Sequence, residues 1–292
     1  MKNPYFINEP TAISFSGGRT SAFMLYKCLE AHDAQLPDEA VVTFANTGKE
    51  MPETLDFVQA CTDNWGVDIV WLEARVRRGG EEENKYVYET VEVSHATASR
   101  KGEPFTQLIE AKVYAPNPLA RFCTKELKVD RIKDYMRVYH DWWTSYIGIR
   151  ADERRRAVKI HNKSDGSQDQ YCPLYADGVT KEHVYDFWIN QNFDLQLSNN
   201  NGISDWGNCD LCFLKGKSKR LSIIRERPDL ASWWIEKEHW LKKHSSLPNG
   251  MNSGNFFRKD EPSYEDMKLI ASNQGSLFRF DNDESIPCFC GD

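Results

Sequence analysis

The run Ser14-Phe15-Ser16-Gly17-Gly18-Arg19-Thr20-Ser21 constrains this chain more than any other segment, because a short apolar stretch leads into it and an amphipathic one leaves it. Ala12, Ile13 and Phe15 have the composition of a buried strand, and Ala22, Leu25, Tyr26 and Leu29 recur at the spacing of one helical face. A strand that turns through two glycines into a helix lets backbone approach an anion and aims the first N–H groups of the helix at it. The segment is therefore expected to hold phosphate. It is not a P-loop, which ends in Gly-Lys-Ser/Thr, nor a dinucleotide fingerprint, which has a third glycine. A plain glycine turn capped by Thr20 or Ser21 is the bland alternative.

The rhythm around this loop predicts an α/β fold. Ala40 to Ala45 and Val67 to Leu72 read as buried strands, and Pro52 to Trp65 as the helix between them, with Pro52 at a favoured first-turn position. Such a β-α-β-α-β order implies a doubly wound, mostly parallel, Rossmann-like sheet with ligands at the C-terminal strand edge, where Ser16 to Ser21 and Asn46 to Gly48 lie. From Glu73 to Pro104 the periodicity fades into charge, which reads as a mobile insertion or plain loop. Helical spacing returns at Ile132, Tyr135, Met136 and Tyr139, followed by a strand over Tyr146-Ile147-Gly148-Ile149. The division expected is a nucleotide-binding domain over residues 1–190 and a smaller helical, cysteine-bearing region over 191–292, with an aromatic helix around Trp233, Trp234 and Trp240.

Composition bears on setting. The chain is 40% hydrophobic and 28% charged, with no apolar run near the ~20 residues of a membrane span. No apolar signal core follows Met1, so its eight cysteines read as ligands or free thiols of a cytoplasmic protein. A net charge of −7 argues against general nucleic-acid binding. Local basic patches are Arg75, Arg77 and Arg78, and Lys215, Lys217, Lys219 and Arg220, with solvated surface charge as the plain alternative.

Further segments fall in the order of one known family: Asn46-Thr47-Gly48-Lys49-Glu50-Met51-Pro52-Glu53-Thr54-Leu55, Arg121-Phe122-Cys123-Thr124-Lys125-Glu126-Leu127-Lys128, Gly148-Ile149-Arg150-Ala151-Asp152-Glu153, and Pro173-Leu174 ahead of Val184 to Trp188. With the loop, they make the chain resemble the PP-loop ATP pyrophosphatase superfamily. Within it, the chain is most similar to the phosphoadenosine phosphosulfate (PAPS) reductase family, including uncharacterised members and relatives in DNA phosphorothioation. The resemblance implies an adenine nucleotide, ATP or PAPS, with Mg²⁺ as a further candidate. Nucleotide contacts fall to Ser14, Ser16, Gly17, Gly18, Arg19, Thr20, Ser21, Asn46, Thr47, Gly48 and Gly148, and Arg150 matches the family's nucleotide-side arginine. Arg121 and Lys125 flank Cys123 and could hold a second anion, or pair with carboxylates nearby. Thr20 stands where such loops often carry aspartate.

The cysteines divide. Cys28 and Cys61 sit in apolar helical segments and read as buried thiols, while Cys172 before Pro173 has no clear assignment. Cys209-Asp210-Leu211-Cys212 has the spacing to grip one metal, and Cys123 with one cysteine of Cys288-Phe289-Cys290, taken as Cys290, could complete four thiolates. Zinc, an iron–sulfur cluster and a redox dithiol all fit that spacing, and the resemblance favours [4Fe–4S]. The favoured function is adenylylation of an acceptor by ATP, with pyrophosphate and AMP released and sulfur transfer as its sequel. The alternatives are sulfonucleotide reduction to sulfite with Cys288 as nucleophile and a thiol reductant, and a non-catalytic nucleotide- or partner-binding protein with structural zinc. The chain lacks the Glu-Cys-Gly tail of PAPS reductases, and has Phe122-Cys123-Thr124 where iron–sulfur adenylyl-sulfate reductases have adjacent cysteines. The acceptor is open, nucleic acid included, as is a homo-oligomer.

Overall fold

A computed structural model describes residues 3–79, 86–198, 206–245 and 255–273. Strands β1 (Thr11–Ser14), β2 (Ala40–Asn46), β3 (Ile69–Arg78), β4 (Tyr86–Val93), β5 (Trp143–Ile147), β6 (Lys163–Ser164) and β7 (Gln168–Tyr171) form one sheet in the order β4-β3-β2-β1-β5-β7-β6. β1 pairs in parallel with β2 and with β5, and β2–β3 and β5–β7 are parallel as well. Only the outer pairs β3–β4 and β6–β7 are antiparallel. The chain runs outward from β1 to β3 and later resumes beside β1 as β5, so the strand order reverses between β1 and β5. That reversal opens a crevice at the carboxyl ends of the two strands.

Helices cover both faces: α1 (Arg19–Glu30), α2 (Pro52–Trp65), α3 (Glu103–Lys112), α4 (Phe122–Thr124), a π-helical turn over Lys125–Val129 and α5 (Asp130–Arg137). They are followed by α6 (Arg154–Ile160), α7 (Pro173–Ala176), α8 (Lys181–Trp188), α9 (Lys217–Glu226), α10 (Ala231–His244) and α11 (Tyr264–Asn273). The α2 bounds agree with the sequence expectation because Pro52 starts the helix and Gly66, at φ 62°, ends it in the left-handed conformation.

The Glu73 to Pro104 segment corrects the expectation of a loop. Its first residues finish β3, Tyr86–Val93 makes β4, and Glu103 and Pro104 open α3. The alternation of β-branched and aromatic residues in Tyr-Val-Tyr-Glu-Thr-Val-Glu-Val is a strand signal that the flanking charges obscure. The strand expected over Tyr146 to Ile149 lies earlier, at Trp143–Ile147.

Residues from both ends of the chain share the main core. Ile13, Phe44, Leu55 and Val58 belong to the same buried cluster as Leu211, Phe213, Trp234, Phe257 and Met267. Trp234 is fully buried, so the tryptophan-rich α10 serves as core. No helix among the described residues is long and apolar enough to cross a membrane.

Candidate functional site

The loop after β1 sits at the reversal. Gly17 takes φ +82°, and a Cβ there would stand 2.6 Å from Thr54 Cγ2, so only glycine passes this turn without strain. Gly18 is the N-cap of α1 and no side chain caps the helix, contrary to the bland alternative of capping by Thr20 or Ser21. Ser21 Oγ instead donates to Gly18 O at 3.0 Å and accepts from Ser16 N at 3.1 Å, with Ser16 Oγ 2.9 Å away. The loop is thus held by its own serines while the first N–H groups of α1 are left for an anion. Gly148, just past β5, lets that strand end close against Ser21, since a Cβ on it would meet Ser21 Cα at 3.1 Å.

Arg150 joins this arrangement. Its NH1 donates to Thr20 Oγ1 at 3.1 Å, and its guanidinium pairs with Asp152 at 3.0 Å and Glu153 at 3.5 Å. The carboxylates hold the arginine beside the loop. Arg19, also expected at the phosphates, makes a two-pronged ion pair with Asp194 at 2.6 and 2.8 Å and donates to Leu195 O. A partner 175 residues away cannot be seen in local sequence.

A slot opens from the loop along one sheet face, lined at the loop end by Ser14, Ser16 and Gly148 and further in by Ser145, Gln168 and Gln170. The turn after β2, also expected to contact nucleotide, is mostly occupied otherwise. Asn46 is fully buried, donates to Glu73 Oε1 at 2.7 Å and Ser99 O at 2.9 Å, and accepts from Gly48 N at 3.0 Å. Thr47 donates through both N–H and hydroxyl to Glu50 Oε2, at 2.9 and 2.8 Å. Gly48, at φ +78°, lets this turn lie against Gly102, whose N–H donates to Gly48 O at 2.8 Å. These residues brace the turn.

Three of the expected metal ligands come together. Cys123, Cys209 and Cys212 line one buried cavity with Thr47, Lys128 and Trp234. Burial pushes the Cys123 thiol up to about 12 and raises Cys209 and Cys212 as well, while Lys128 pulls each of the three back toward the thiolate. Lys215 and Arg220 do the same for Cys212. Arg220 is fully buried and pairs with Glu261, and Lys215 is buried and reaches Gly207 O, so these two of the four expected patch residues are interior while Lys217 and Lys219 are half-buried. Among the described residues no group of three His, Cys, Asp or Glu side chains converges as on a single metal ion. Cys288 and Cys290 lie outside the described residues. Cys28, Cys61 and Cys172 are buried elsewhere, Cys172 in a small cluster with Ile149, Ala157 and Ile160.

The Cys209 loop is tied to the β2 turn. Asp210 N donates to Lys49 O at 2.8 Å, Glu50 and Cys209 form an antiparallel bridge, and Thr47 Oγ1 lies 3.5 Å from Cys209 Sγ. Between the two cysteines, Asp210 pairs with Lys49 Nζ at 2.8 Å, both side chains buried, and accepts from Trp234 Nε1 at 2.8 Å.

Lys128 is the residue that sequence reasoning passed over. It lines both the slot and the cysteine cavity, as does Thr124 one helical turn before it. Its ammonium lies 3.1 Å from the buried Glu50 Oε1. Burial works against that charge, but Glu50 and the Cys209 and Cys212 sulfurs outweigh it and hold Lys128 above the ordinary lysine value. The expected cations fall elsewhere: Lys125 is exposed and pairs with Asp130 at 2.6 Å, and Arg121 Nε donates to Pro118 O at 3.0 Å. The useful signal was the i, i+4 spacing of Thr124 and Lys128, which puts both on one helical side.

A family model described as the phosphoadenosine phosphosulfate reductase domain matches residues 10–196. An uncharacterised nin region protein of Escherichia phage lambda is 30% identical over 210 residues, covering 71% of this chain and 67% of that protein. An uncharacterised protein of Methanocaldococcus jannaschii is 26% identical over 268 residues, covering 84% of this chain. The match spans 48% of the archaeal protein, so about half of it has no counterpart here.

Proposed function

The chain belongs to the phosphoadenosine phosphosulfate reductase domain family, and from that premise we propose that it is an adenine-nucleotide enzyme that activates an acceptor by adenylylation. The observation that carries this reading is the uncapped start of α1, held open by Ser16 and Ser21 at the reversal point of the sheet. In the proposed reaction an acceptor oxygen attacks the α-phosphorus of ATP. The bond to the β-phosphate breaks and pyrophosphate departs into the Ser16–Ser21 loop, where N–H and hydroxyl donors stabilise the charge that develops. Arg150, tethered to Thr20, supplies a cation beside the loop. A sulfur nucleophile would then displace AMP from the adenylated acceptor.

The cysteine cavity supports a place for sulfur or redox chemistry next to the nucleotide. Three thiols lining one cavity suit a thiolate-ligated group, for which zinc and an iron–sulfur cluster both qualify and the family resemblance favours the cluster. The surrounding Lys128, Lys215 and Arg220 suit an anionic thiolate-ligated group. Cys123, Cys209 and Cys212 would hold a [4Fe–4S] cluster, with Cys290 as the proposed fourth ligand, and the bound cluster would supply an electron-transfer or Lewis-acid centre. Lys128 would keep positive charge between that centre and the nucleotide. Sulfonucleotide reduction with Cys288 attacking is the second reading, favoured by the wall of Thr124 and Lys128 that slot and cysteine cavity share. The division into residues 1–190 and 191–292 belongs to the same proposal.

An anaerobic competition between ATP and PAPS on freshly purified protein, with iron, sulfide and zinc analysis of the same sample, tests these readings. Tighter ATP binding with iron and sulfide supports adenylylation. Preference for PAPS with sulfite release moves the assignment to reduction, and zinc alone with no turnover of either nucleotide overturns both.

A further inference from the structure

We propose that the slot beneath the loop is a nucleobase site and that the Gln170 amide reads the edge of the ring. This rests on the nucleotide reading of the Ser16–Ser21 loop and names what lies beyond the phosphates. The register places Ser14 beside Thr43 and Ile147, Ser145 beside Gln170, and Trp143 beside Gln168, so these side chains occupy the sheet face that α5 covers. A strand buried on both faces of a parallel sheet ordinarily reads as an unbroken apolar run. Here hydroxyls and amides interrupt it, and such groups are costly inside a protein unless something pairs with them.

Part of that polarity is committed to holding geometry. Trp143 Nε1 donates to Ser145 Oγ at 3.1 Å, Ser145 Oγ donates to Gln168 Oε1 at 2.6 Å, and Gln168 Nε2 donates to Asp165 Oδ2 at 3.3 Å. Gln168, 4% exposed, is thereby locked. Gln170 lies two residues along the same strand and lines the same slot, yet its amide makes no hydrogen bond to any described residue. The slot therefore presents a preset polar edge with spare donor and acceptor capacity, between walls supplied by Phe15, Ala45, Val129, Ile132 and Ile147.

Charge gives the ligand its direction. Lys128 is the one charged residue among the described residues that line the slot, and it stands in the wall shared with the cysteine cavity. The rest asks for a neutral, flat, hydrogen-bonding ring. Gln170 lies two strands over from β1, a lateral distance of about 10 Å, which a nucleoside held by its phosphates can bridge. A primary amide pairs with the adjacent donor and acceptor of an adenine edge. That base belongs either to the bound nucleotide or to the acceptor.

Calorimetry on the anaerobically purified full chain, with Gln170→Leu and Gln170→Asn variants, separates these cases. The probes are ATP, ITP, tripolyphosphate, and adenosine added to ATP-saturated protein. If the base is the nucleotide's own, Gln170→Leu weakens ATP about tenfold, removes the preference for ATP over ITP and leaves tripolyphosphate binding unchanged, while Gln170→Asn keeps part of the preference. If the base is the acceptor's, ATP binding stays unchanged and adenosine binding falls. Wild-type binding of ATP and tripolyphosphate, with Gln170→Leu indifferent to every probe, overturns the base site and leaves the loop reading standing. Failure of the wild type to bind either phosphate compound overturns both.

Discussion

On the sheet face that carries α2, Ile13, Val42 and Phe44 meet Leu55 and Val58 in a closed apolar layer. On the opposite face, residues one position along the same strands, among them Ser14 and Thr43, lie with Ser145, Gln168 and Gln170 beneath α5. The two layers use the same backbone and the same register. Because side chains alternate along a strand, one can serve packing on one side and recognition on the other, and a single-residue slip would exchange the two. The closed face stabilises the strands, and this leaves the open face free to carry groups that contribute little to stability.

Substitutions on each face give the sharpest contrast. Phe44→Ala should cost about 3–5 kcal/mol of stability in urea unfolding, whereas Ser145→Ala on the slot side should cost about 1 kcal/mol. Equal costs would dissolve the distinction. Next comes the loop between the faces: Gly17→Ala must accept a positive φ and a clash with Thr54, and is expected to lose about 2 kcal/mol together with tripolyphosphate binding, read by calorimetry. Arg150→Ala should leave the urea midpoint in place and weaken ATP about tenfold, about 1.4 kcal/mol. A stability loss without an affinity change would reassign Arg150 to structural pairing with Glu153.

The smallest effect concerns the buried side of α10 and is read by pH. Burial pushes the Glu238 carboxyl up to about 7, from an ordinary 4.5. The folded protein then holds this proton more tightly than the unfolded chain, so the stabilisation is complete below 4.5 and lost as pH rises through about 7. Glu238→Gln should remove that dependence and stabilise the protein at pH 8 by on the order of 1 kcal/mol, seen as a higher Tm. An unchanged pH profile would place the ionisation elsewhere.

What could be read from sequence was local. The strand, glycine turn and helix of residues 11–30 carry their own periodicity, and α2 carries its own start and stop. The pairing of Cys209 with Cys212 followed from their spacing, whereas Cys123, far off in the chain, was set beside them on the family resemblance; all three line one cavity. The rest depended on distant pairing. Nothing near Arg19 announces its partner Asp194, and Glu73 and Ser99 reach Asn46 only through the fold. Lys125 and Lys128 look alike in sequence, and only the packing of the π-helical turn against the sheet sends one to solvent and the other between two cavities. The polarity of the slot face was hidden because Ser14, Thr43, Ser145 and Gln170 come from four strands and meet only in register.

The seam between Lys49-Glu50 and Cys209-Asp210 has a thermodynamic consequence. Backbone pairing and a buried ion pair make the two turns one mechanical unit, and Lys128 touches that unit from the slot. Any species that grips the thiols and shifts this unit changes the affinity of the slot for its ligand. Linkage then requires the slot's ligand to change the grip on the thiols by the same factor, so occupancy of either cavity reports on the other.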